Sequence, residues 1–213
     1  MRTLTNWAMA SMTVAVTVLG CSKEEAKPDV KPPPSAVKPA LSVPPPAPTP
    51  SVAAKKLRED CPEGSKGEGT FNGPCEASGT ARMMEVEWTK KIDDQGPKFK
   101  VVNKSPSVIL YGRIAVYFYD KAGKQLEVKA EKDGKPRRYL TCGGNMFGGV
   151  MKAAEKAYFY FSCVKKEDVP EGAKTIEAEM PMVGFADKTE QRSDLYWRND
   201  ALVPDERPKG GVK

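Results

Sequence analysis

The 213-residue chain contains no histidine. That absence removes His-based general acid–base catalysis, Ser–His and Cys–His triads, and most catalytic zinc sites. An enzyme built from this chain would have to work with carboxylates, lysine, tyrosine or a Ser–Lys pair. A concentrated basic patch is also missing. The net charge is +6, acids and bases are interspersed, and Lys90-Lys91, Arg137-Arg138 and Lys165-Lys166 are isolated pairs. Nucleic-acid binders gather their cations on one face or stripe, so no nucleic-acid partner is expected. The surface reads as solvated, with a weak anionic partner as the alternative. No Gly-Lys-Ser/Thr follows the glycine run "CGGNMFGG", which excludes a phosphate loop. Close cysteine pairs are lacking too, so a structural zinc site is not expected. No metal and no cofactor are assigned, and no internal repeat is evident.

The first twenty residues have the layout of a secretory signal peptide. Arg2 is the positive charge near the start, Trp7 to Leu19 are apolar or small, and charge resumes at Lys23. The apolar core is short for a bilayer-spanning helix. A buried helix or a plain membrane anchor is the competing reading, but the proline tract that follows offers such a helix nothing to pack on. Val18-Leu19-Gly20-Cys21 resembles the lipobox of bacterial lipoproteins. The resemblance implies cleavage between Gly20 and Cys21, a diacylglycerol on the Cys21 thiol, and an acylated (palmitate-type) amino terminus. Several acyl chains, at about 0.8 kcal/mol per buried methylene, hold a protein stably on a membrane. Ser22, rather than aspartate, resembles lipoproteins exported to the outer membrane. The implied location is the bacterial cell envelope, at the outer membrane facing the periplasm or the cell surface.

Lys27 to Pro50 is low-complexity, with ten prolines. Proline lacks the amide donor and fixes φ, so this segment favours polyproline II, a semi-rigid spacer. A ligand for a proline-reading module is the alternative. The expected organisation is therefore a signal peptide over 1–20, a lipidated start and disordered linker over 21–54, and one domain over 55–213.

With Cys21 assigned to lipid, Cys61, Cys75, Cys142 and Cys163 remain. An even set in an exported chain reads as disulfides. Three connectivities are open, and Cys61–Cys75 with Cys142–Cys163 is favoured. The first would close the glycine-rich loop "CPEGSKGEGTFNGPC", stabilising it by about 3 kcal/mol in the chain-entropy model.

The domain reads as strands. In "SVILYGRIAVYFYD", Val108, Leu110, Ile114, Val116 and Phe118 alternate with Ile109, Tyr111, Arg113, Ala115, Tyr117 and Tyr119. A turn at Asp120 to Gly123 leads into "KQLEVKA". "MMEVEW", "KFKVVN", "KAYFYFSCV" and "TIEAEMPMVGF" supply further strands, and "VKKEDVPEGAK" one helical turn. Short strands and turns without long helical periods predict a mainly β fold, an antiparallel β-sandwich. The tail from Lys188 has no clear period, although Leu195, Tyr196 and Trp197 should cover a core edge. "VVNKSPSVILYGRIAVYFYDKAGKQLEV" resembles the FxLYD-type domain of bacterial envelope proteins, through Val102-Asn103, Ile114, Val116, Phe118, Asp120, Gly123 and Val128. Ala153-Ala154-Glu155 stands where that family has a Pro-Gly turn. The resemblance implies an immunoglobulin-like sandwich in an extracytoplasmic setting, and no activity.

Candidate sites are few. Tyr111, Tyr117, Tyr119, Tyr158 and Tyr160 are candidates for an aromatic platform that stacks sugar rings or a protein partner; the alternative is an outer sheet face partly covered by the tail. Asn145, Met146 and Phe147 are candidates for display on the glycine-rich loop. Glu85/Glu87 and Asp93-Asp94 are the carboxylate pairs a His-free hydrolase would need, but they read as a strand's solvent face and a turn. Asn103-Lys104-Ser105 matches a glycosylation sequon and reads as chance. The expected function is a lipid-anchored, non-catalytic structural or binding module, with a glycan- or protein-binding module as the alternative and a His-free hydrolase last.

Overall fold

The computed structural model describes residues 56–129 and 135–213, which belong to the compact unit Ser51–Lys213. The expected signal peptide over 1–20, Cys21 and the proline-rich segment up to residue 54 lie outside the described residues.

Among the described residues the strands are β1 (Cys75–Glu76), β2 (Met84–Asp93), β3 (Gly96–Asn103), β4 (Ile109–Tyr119), β5 (Gln125–Leu126), β6 (Val128–Lys129), β7 (Pro136–Arg137), β8 (Leu140–Gly144), β9 (Lys156–Tyr160), β10 (Thr175–Ala186) and β11 (Ser193–Arg198). Single 3-10 turns occupy Lys166–Asp168 and Asp200–Leu202. The larger sheet runs β1-β11-β10-β4-β5, with β8 also on β4; the smaller runs β2-β3-β9; β6 and β7 pair alone. The ladders are antiparallel except the short β1–β11 pair. Met84, Phe99 and Val101 of the small sheet meet Ile114, Val116, Phe118, Ile176, Ala178, Met180 and Val183 of the large one in a shared core, joined by Phe161 and Trp197. Each of the larger of these side chains contributes about 1.5–3 kcal/mol by leaving water. The result is the expected mainly β fold, an antiparallel β-sandwich.

Two bulges alter the expected alternation. β10 pairs Gly184 with Tyr111 but Phe185 with Ile109, so Leu110 is an extra residue in β4. Parity flips there, and Ile109 enters the shared core in the place expected for Leu110. A second shift between Glu179 and Met182 moves the core face of β10 from Ile176, Ala178 and Met180 to Val183 and Phe185. β2 bulges as well, between Trp88 and Ile92, where Lys90 takes a φ of 63°.

The glycine-rich segment is a strand in its first half. β8 lies along β4 from Val116 to Gly112. Glycine weakens strands; a Cβ on Gly143 would sit 2.7 Å from the Tyr111 hydroxyl, so a side chain there would push the end of that ring aside. Both favoured disulfides are present, Cys61–Cys75 with Cα atoms 5.6 Å apart and Cys142–Cys163 with 5.8 Å. The second ties β8 of the large sheet to the turn after β9 of the small one.

The outer face of the large sheet is covered by the C-terminal segment. Tyr117 donates to the Pro204 carbonyl (3.0 Å) and Tyr119 to the Arg207 carbonyl (3.1 Å). Arg207, 5% exposed, bonds Glu177, Glu179 (2.9 Å) and the Tyr119 hydroxyl (3.1 Å), with its guanidinium 5.0 Å from the Tyr117 ring centroid. Arg82 grips Glu179 from the other side through two 3.0 Å bonds and also donates to the Val212 carbonyl (3.1 Å).

Arg207→Ala would leave two partly buried carboxylates without their shared cation, Glu179 keeping Arg82 and Glu177 only the Gly210 amide. It is expected to lower unfolding free energy by about 3 kcal/mol in urea titrations. Ala154 takes a φ of 60°, a left-handed conformation that glycine adopts freely. Ala154→Gly is therefore expected to raise the urea midpoint, by about 0.5–1 kcal/mol of stability.

Candidate functional site

The five tyrosines do not form one platform. Tyr111, Tyr117 and Tyr119 stand on β4 of the large sheet, whereas Tyr158 and Tyr160 stand on β9 of the small one. Tyr117 and Tyr119 are fully buried because the tail lies over them. Tyr111 meets Phe71 and Tyr196 edge-on at centroid distances of 5.7 Å each, a small cluster at the uncovered end of the same face. Phe147 is not displayed either. It is 8% exposed and packs on Phe159 at 5.4 Å, plugging the end of the core, while Asn145 is exposed.

Asn103 is fully buried, so the sequon offers no accessible amide. Its Nδ2 donates to the carbonyls of Ser107 (2.8 Å), Met151 (3.0 Å) and Lys152 (3.1 Å), and its Oδ1 accepts from the Ser105 amide and hydroxyl. It is a structural knot joining the end of β3, the turn before β4 and the turn before β9. The carboxylates are dispersed. Glu85 and Glu87 are exposed and paired with Lys104 (3.3 Å) and Lys100 (3.2 Å), and Asp94 with Lys166 (3.3 Å). Asp93 accepts from the Tyr160 hydroxyl, which holds Asp93 below the ordinary carboxylate range and lifts the phenol.

What remains accessible is the open side of the sandwich. β10 pairs with β11 only from Met182 onward, so among the described residues Thr175 to Glu179 has no ladder on the edge away from β4. Among the described residues β2 pairs with β3 alone. Between these edges lies a groove of about 870 Å³, with Val86, Trp88, Val102, Ile176 and Ala178 as its apolar lining and Lys90, Lys100, Lys174 and Glu177 among its charged lining. A second, smaller concavity of about 460 Å³ adjoins it on the outer face of the small sheet, sharing Glu87 and Lys100 and adding Thr89, Lys91, Lys98 and Tyr158. Both volumes fall in the range of small-molecule sites, about 300–1,000 Å³.

The second concavity follows from strand register. Phe99 and Val101 face the core, so Lys98 and Lys100 face out, opposite Tyr160 and Tyr158 on β9. Lys98 Nζ sits 5.7 Å from the Tyr158 ring centroid and 5.4 Å from that of Tyr160. Tyr158 is 62% exposed. The lysines were missed as site residues, although the pattern "KFKV" does place two cations on one strand face.

Burial pushes the Tyr117 and Tyr119 hydroxyls above the ordinary tyrosine value. Neutral phenols are thus favoured in the fold. Stability on this account is complete below pH of about 10, where unfolded tyrosine titrates, and is lost as pH rises beyond it. Absorbance titration of phenolate at alkaline pH should show the two fully buried tyrosines, Tyr117 and Tyr119, ionising together with unfolding.

Neither a protein-family model nor a curated protein matches the chain. Among solved structures, a hypothetical protein of Peptoclostridium difficile 630 aligns with 55% of this chain and 84% of its own, at 14% identity and a TM-score of 0.34.

Proposed function

We propose that this chain is a lipid-anchored protein of the bacterial cell envelope, held at the outer membrane through Cys21, whose FxLYD-type β-sandwich is a non-catalytic structural or binding module. The observation that carries the proposal is the pairing of cysteines. Cys61–Cys75 and Cys142–Cys163 consume four of the five, leaving Cys21 as the odd thiol at the position where a lipobox ends. Disulfides persist in oxidising compartments, which agrees with export. The non-catalytic reading is supported by the disposition of ionisable groups. The buried ones, Arg207 and Glu179, are spent on each other, and the exposed Glu85, Glu87 and Asp94 on lysines. A binding role is favoured over a purely structural one by the two adjoining concavities on the open side of the sandwich.

Expression in a bacterium followed by intact-mass analysis tests the anchor. The native protein should carry a diacylglyceryl increment on a chain beginning at Cys21, and should sediment with membranes. Cys21→Ser should show neither. Reduction should add one hydrogen for each of four sulfurs. An unacylated native chain with all five thiols free would refute the proposal.

A further inference from the structure

We infer that the outer face of the small sheet binds an acidic sugar, a pyranose bearing a carboxylate or phosphate, with Tyr158 as the stacking surface and Lys98 as the anion contact. This deepens the binding reading above and rests on that reading only for where the ligand is met.

The argument begins with charge. The concavity is lined by Lys91, Lys98 and Lys100 against one acid, Glu87, and Lys100 already engages that acid at 3.2 Å. Among the described residues Lys98 has no carboxylate within ion-pair distance; its ammonium lies against the Tyr158 and Tyr160 rings instead. Asp93, at the end of β2, accepts from the Tyr160 hydroxyl, which also fixes that ring; it feels the Lys98 charge without forming a direct ion pair with it. A cation resting on an aromatic face keeps its outward side for an anion. The site is therefore complementary to negative charge.

Shape then selects the class of anion. β9 is the edge of its sheet, so Tyr158 is uncovered on the side away from β3. An exposed, flat ring beside a fixed cation suits a ligand with an apolar face and a charged substituent. A pyranose has both: its axial C–H bonds lie against the negative face of the ring, and its acid group reaches the lysine. A flexible acidic peptide has the charge without the flat apolar face. The Thr89 side chain holds the local backbone by donating to the Lys98 carbonyl at 2.9 Å, so the lysine rises from a fixed strand.

The test is calorimetric titration of the mature full-length chain, in non-ionic detergent, with oligogalacturonate and with a hexose phosphate. Neutral malto-oligosaccharide, polyglutamate and anionic phospholipid vesicles are the comparison ligands. At least one acidic sugar should bind, and the neutral sugar and polyglutamate about tenfold or more weaker. Tyr158→Ala and Lys98→Gln should each lower affinity about tenfold, while Tyr158→Phe, which keeps the ring, should bind like the native protein. Both positions are on the sheet's outer face, and unchanged thermal transitions would show the fold intact. Cys21→Ser should bind as well as the native chain, which separates this result from that of the anchor. The inference is overturned if neither acidic sugar binds, if polyglutamate or vesicles bind equally well, or if Tyr158→Ala and Lys98→Gln leave affinity unchanged.

Discussion

A sheet with large apolar or aromatic side chains on both faces needs two covers, and the large sheet here has one neighbour sheet. The second cover is the C-terminal segment, and what fastens it is the Arg207 guanidinium inserted between Glu177 and Glu179 over the Tyr117 ring. Burial works against that charge, but hydrogen bonds to Glu177, Tyr119 and Glu179 outweigh it and hold the group above its ordinary value. The geometry has to be good because a buried ion pair gains little over an apolar pair unless its remaining donors are satisfied. The backbone adds further ties: Gln125 donates to the Asp205 carbonyl and accepts from the Arg207 amide, and the Gly210 amide donates to Glu177. With the tail in place, the sheet's outer tyrosines become core. The accessible surface is thereby moved to the other side of the sandwich.

Two buried asparagines perform a parallel task for the turns. Asn103 ties three turn carbonyls, and Asn199 does the same with Ser78, Gly79 and Ala81 while capping the last 3-10 turn. A carboxamide suits such a place because it donates twice and accepts on the same fixed plane. The amide donors would be costly to bury unpaired.

The strands with period-two patterning were legible from residues alone: β2, β3, β4, β9 and β10 all fall where alternation placed them. β8 and β11 were not. β8 hides in a glycine run, where pairing along β4 overrides the low strand propensity of glycine, and β11 has apolar residues in a row because Trp197 and its neighbours serve different layers. The bulge at Leu110 could not be read either, since pattern counting assumes an unbroken ladder. The disulfides followed from parity and loop composition. The site was half legible. Tyr158 and Tyr160 were singled out, but they were grouped with tyrosines that the tail conceals, because nothing in a linear pattern reports which outer face a tail will occupy. The lysines opposite them emerge only when β3 and β9 are set in register.

The irregularity in β2 bears on how this molecule tolerates crowding. An open sheet edge invites pairing with a like edge on another molecule. Proteins confined to a two-dimensional film, as proposed here, meet one another far more often than in free solution. The kink at Lys90 and the ammonium groups of Lys90 and Lys91 interrupt the row of amides and carbonyls that such a meeting would use. The same edge can thus stay open for a ligand without zipping neighbouring copies into fibres.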